Sequence, residues 1–98
     1  MNEKMLVICQ SQHQLEKAIY IQEILPSSVD VACIGHEIDD QFKKFFANVQ
    51  AYKSHQQLIP IIHRYDKFIF FSMVPSRKLL ELIGRIRVAR KMIIAIQE

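Results

Sequence analysis

Apolar and polar positions along this chain alternate between two rhythms. Lys4-Met5-Leu6-Val7-Ile8-Cys9 is a near-continuous apolar run, the signature of a strand buried on both faces. Leu15, Ala18, Ile19, Ile21, Ile24 and Leu25 then recur at helical spacing, and Pro26-Ser27-Ser28 stops that helix. Val29 to Ile34 reads as a second buried strand closed by Gly35. Ile38, Phe42, Phe45, Phe46 and Val49 follow as the stripe of a second helix, capped by Asp39 or Asp40. Val49 to Lys53 is a weak edge strand. A third helix begins at Ser54 and is predicted to be short, or to restart at Pro60, because proline lacks the N–H of the i−4 bond.

Lys67 to Met73 is the most strongly apolar strand. Pro75 suits the first turn of a fourth helix, whose core face is Leu79, Leu80, Leu82, Ile83, Ile86 and Ala89, interrupted by Gly84. Met92 to Ile96 closes the series as a fifth strand. Strands and helices alternate throughout, which predicts an α/β fold: a three-layer α/β/α sandwich, Rossmann/flavodoxin-like, on a five-stranded parallel sheet. The predicted strand order is 3-2-1-4-5. Ligands in such sheets bind beyond the carboxyl ends of the strands where the winding reverses, here between strands 1 and 4. Two loops meet there, Gln10-Ser11-Gln12-His13-Gln14 and the stretch Ser72 to Arg77.

With 98 residues, residues 1–98 form a single domain. No run approaches the roughly 18 apolar residues of a membrane span, and no leader pattern precedes the first strand, so the expected location is the cytoplasm. The net charge is only +3. Arg77, Lys78, Arg85, Arg87, Arg90 and Lys91 crowd the last quarter. Arg77, Glu81 and Arg85 stand at i, i+4 spacing, so a solvated helix face explains them better than nucleic-acid binding. Cys9 and Cys33 sit in apolar strands, lack metal-site spacing, and read as buried thiols. No metal or cofactor is expected.

The first loop has neither GxGxxG nor a Walker lysine, which sets aside dinucleotide and P-loop functions. Ser11 and Gln14 form a capping box. His13 falls in the first turn of the helix, where the dipole favours neutral imidazole. With Gln10, Gln12 and Gln14 as amide donors and acceptors, the loop suits a hydroxylated ligand such as a sugar. Helix capping alone would account for Ser11 and Gln14.

Two resemblances bear on this. Cys9 at the end of a strand, before a helix N-terminus, resembles the phosphocysteine site of sugar-phosphotransferase IIB domains, although the following loop is bulky rather than glycine-containing. More of the chain resembles the N-terminal domain of bacterial sialyltransferase and polysialyltransferase-type glycosyltransferases. The matching positions are Leu6, Ile8, Cys9, Gln14, Leu15 and Ala18, then Phe68 to Ser72, Leu79 to Ile83, and Ile93 to Glu98. That resemblance implies the acceptor-side half of a two-domain enzyme of surface polysaccharide synthesis, inactive alone. A second domain would bring the nucleotide sugar. His13 would be the catalytic base, and Ser11, Gln12, Gln14, Ser72, Ser76 and Arg77 would bind the acceptor sugar. A non-catalytic interaction module, or a homo-oligomer, is the remaining expectation, since a domain built to face another would expose apolar surface when isolated.

Overall fold

The computed structural model describes residues 3–25, 28–71 and 76–97. Five strands are present: β1 (Lys4–Cys9), β2 (Ser28–Ile34), β3 (Val49–Tyr52), β4 (Lys67–Phe71) and β5 (Met92–Ile96). All pair in parallel, in the order β3-β2-β1-β4-β5. The connections are helices α1 (Gln12–Ile24), α2 (Asp40–Lys43) and α3 (Arg77–Val88), with a 3₁₀ helix (His55–Arg64) between β3 and β4. The predicted fold class and strand order are those observed.

The period-2 alternation of the strands divides the core into two layers. Met5, Val7 and Cys9 of β1 face α1 and α2 with Leu15, Ala18 and Phe42. Leu6 and Ile8 face the other way, towards Leu58 and Ile62 of the 3₁₀ helix and Leu79, Leu82 and Ile86 of α3. Because both faces of β1 are covered, its apolar run has no polar alternate.

Several expectations need correction. α2 is a single turn, not the long helix its stripe predicts: Phe42 and Phe46 are buried, Phe45 is 53 % exposed, and Val49 belongs to β3. Clustered aromatics are poor helix formers, and the chain must reach β3 within a few residues of Lys43. Asp39 is its N-cap residue, but its side chain makes no cap hydrogen bond. The segment with Pro60 neither shortens nor restarts. It runs through the proline as a ten-residue 3₁₀ helix. On α1, Ile24 is 77 % exposed, and on α3 Leu80 points outward while Leu79, Leu82 and Ile86 carry the packing. Glu81 accepts a hydrogen bond from Gln56 Nε2 at 2.9 Å instead of joining an Arg77–Glu81–Arg85 ladder. The expectations resting on Pro26, Ser72, Met73, Pro75 and Glu98 lie outside the described residues. No helix among the described residues is long and apolar enough to cross a membrane.

Candidate functional site

The strand order places the loop after β1 at the carboxyl edge of the sheet, beside the end of β4. Four of the five side chains of that first loop, all but His13, make defined hydrogen bonds. Ser11 is the N-cap of α1, extended at φ −155°, and its Oγ accepts from the Gln14 N–H at 3.2 Å. Gln14 is buried and reaches one residue further back than the capping box predicts: its Oε1 accepts from the Gln10 N–H at 2.7 Å. The same device recurs after β3, where Gln57 Oε1 accepts from the Lys53 N–H at 2.7 Å, while the Ser54 hydroxyl makes no cap bond. In both turns the glutamine holds the strand-exit amide, which would otherwise lack a partner.

Gln10 and Gln12 tie the loop to its neighbours. Gln10 Nε2 lies 2.9 Å from Nε2 of His55, the first residue of the 3₁₀ helix. His55 is buried, and its pKa is lowered, first by burial and then by the charge of Lys78 in the first turn of α3. A neutral His55 protonated on Nδ1 accepts from the Gln10 amide. Gln12 Nε2 donates to the Glu37 carbonyl at 3.1 Å, which fixes the amide's orientation. Its other end, Oε1, is then buried without a hydrogen-bond partner. His13, between Gln12 and Gln14, is exposed.

Across the edge, Ser76 is the N-cap of α3 and its Oγ accepts from the Leu79 N–H at 3.2 Å. Arg77 begins the helix and is exposed. Ser72 lies outside the described residues. The structure therefore gives Ser11, Gln14 and Ser76 capping or bracing bonds, leaves Gln12 Oε1 without a donor, and leaves His13 and Arg77 exposed. His55, with Lys78 beside it, also stands at this edge, where the sequence reading placed no site residue. The available signal was the repeated strand-Ser-x-x-Gln pattern at positions 11–14 and 54–57, which puts a second polar turn on the same edge.

Cys9 is fully buried, packed in the layer beneath α1. That removes the exposed thiol that a phosphocysteine site requires. Cys33, its neighbour in register on β2, is equally buried, and burial raises its pKa. Among the described residues no three His, Cys, Asp or Glu side chains are placed to hold a metal ion. No family model matches the chain, and no curated protein matches it.

Proposed function

We propose that the chain is the acceptor-side domain of a bacterial glycosyltransferase of surface polysaccharide synthesis, and that it binds a sugar at the carboxyl end of β1. The observation that carries this reading is Gln12 Oε1, a buried carbonyl oxygen without a donor. An orphaned acceptor costs about 1–3 kcal/mol, and a sugar hydroxyl is a donor of the required kind. His13 stands beside it on the first turn of α1, exposed and able to take a hydroxyl proton. Arg77, at the head of α3, suits an anionic substituent of the sugar. The resemblance of residues 6–18 to the opening of sialyltransferase-type domains supports the same assignment. In this reading the nucleotide sugar is brought by a second domain, and this domain alone transfers nothing.

The test is an NMR titration of the isotope-labelled chain with sialylated and neutral oligosaccharides. Saturable shifts centred on Gln12, His13 and Arg77, abolished in Gln12→Leu, are expected. Oligosaccharides that leave those amides unmoved at millimolar concentration would refute the reading.

A further inference from the structure

At the opposite, amino end of the sheet, under the 3₁₀ helix, lies a second polar concavity of about 170 Å³, bordered by Lys4, Asp30, Gln50, Tyr52, Arg64 and Tyr65. Asp30 is the anomaly that creates it. It occupies a central strand position opposite Leu6, where the sequence V-D-V-A-C-I is otherwise apolar, and it is 8 % exposed. A buried carboxylate needs partners. Tyr65 Oη donates to Oδ2 at 2.7 Å. Lys4 Nζ reaches the same oxygen at 3.6 Å, with 43 % of its side chain still open to solvent, and sits 5.4 Å from the centre of the Tyr65 ring. The Tyr65 ring is in turn fixed edge-on against Phe68.

Two cations and one carboxylate therefore line the cleft. Arg64 at the rim is paired with no carboxylate among the described residues, and Lys4 holds Asp30 only loosely. The Tyr65–Asp30 bond by itself would require neither an open cleft nor an arginine at its mouth. We propose that this cleft binds a small α-hydroxycarboxylate. The ligand's carboxylate would take the fork of the Arg64 guanidinium, with Lys4 nearby, and its hydroxyl would donate to Asp30 on the floor. The single negative charge of such a ligand neutralises the excess positive charge of the site, whereas a phosphate dianion would be repelled by Asp30. The cleft, about 170 Å³ and open to solvent on one side, admits a molecule of glycerate's size. The site is separate from the one proposed at the carboxyl end, and neither depends on the other.

The experiment is calorimetric and NMR titration of the folded chain with glycerate, propionate and glycerol. Glycerate is expected to bind saturably and to shift the signals of Lys4, Asp30, Tyr52 and Tyr65. Propionate, lacking the hydroxyl, and glycerol, lacking the carboxylate, are each expected to bind about tenfold more weakly or worse. Arg64→Gln, at an exposed position, is expected to weaken glycerate about tenfold or more without unfolding the chain. Asp30→Asn is expected to abolish the preference for glycerate over propionate. If that variant fails to fold, Arg64→Gln with the three ligands decides the matter alone. Glycerate that does not saturate, that binds no better than propionate, or that binds Arg64→Gln as it binds the wild type overturns the proposal.

Discussion

Gln10 Nε2 and His55 Nε2 lie 2.9 Å apart although 45 residues separate them in the chain. The contact locks the loop after β1 to the start of the 3₁₀ helix, and with the Gln10 amide as donor it needs an unprotonated Nε2 on His55. Burial and Lys78 both lower the pKa of His55 below its ordinary 6.5. The native state thus binds fewer protons than the unfolded state in the interval between that lowered value and 6.5. Stability is full above this interval and falls as the pH drops through it. Urea melts from pH 8 to pH 5 should show the loss, and His55→Gln should flatten it. An unchanged pH profile in His55→Gln would assign the titration elsewhere.

The first loop separates structural from ligand-facing side chains. Ser11→Ala should cost about 1 kcal/mol, as a lost N-cap does. Gln14→Ala should cost about 1–3 kcal/mol, because it strands the Gln10 amide. His13→Ala should stay within about 0.5 kcal/mol. Chemical denaturation of the three variants measures all of this. A His13→Ala loss larger than that of Ser11→Ala would make His13 a structural residue.

Tyr65→Phe removes the phenol that donates to buried Asp30. Burial first, and then the hydrogen bond to Asp30, hold the Tyr65 hydroxyl well above its ordinary pKa, so it is a donor at neutral pH. The variant should lose about 1–3 kcal/mol. A double-mutant cycle with Asp30→Ala should return a coupling of about 0.5–3 kcal/mol. Additive losses would mean that the two groups do not act as a pair.

Two backbone changes should stabilise α3 and its exit. A Cβ built on Gly84 meets nothing within 4 Å, so Gly84→Ala should gain about 0.5–1 kcal/mol. Arg90 carries a positive φ of 60° just past α3, where the Lys91 N–H bonds back to the Ile86 carbonyl at 3.2 Å. This is the left-handed turn that glycine normally fills, and Arg90→Gly should gain about 1 kcal/mol. Each kilocalorie should raise the melting temperature by about 4–8 °C in a domain of this size. A lower melting temperature in either variant would count against the local account.

The sheet was legible because its strands are runs of Val, Ile, Leu and Phe separated by helical periodicity, and right-handed crossovers leave few ways to order them. The length of α2 was not legible, because Phe42 and Phe46 are buried equally well by a single turn flanked by loop, so spacing could not set it. Within the site, Ser11 was legible because capping is local. The partners of Gln10, Gln12 and Gln14 were not, because a glutamine's choice among His55, the Glu37 carbonyl and the Gln10 amide is made by tertiary geometry. Asp30 left a visible mark, a lone acid in an apolar strand. Its partner Tyr65, 35 residues away, could not be paired with it from spacing.

The central position of β1 also governs when this chain can fold during its synthesis. Met5 pairs with Val29 on one side and with Lys67 on the other. At roughly 5–20 residues per second, the ribosome delivers β4 about 3–12 s after β1. Throughout that interval the most apolar strand edge of the nascent chain lies open, and β1, β2 and α1 can close only one side of it. The protein's hazard in the cell is therefore one of timing. A stall between β3 and β4 would leave a half-built sheet ready to pair with a neighbouring chain, and a chaperone holding that edge would serve this protein before a single residue of α3 had been made.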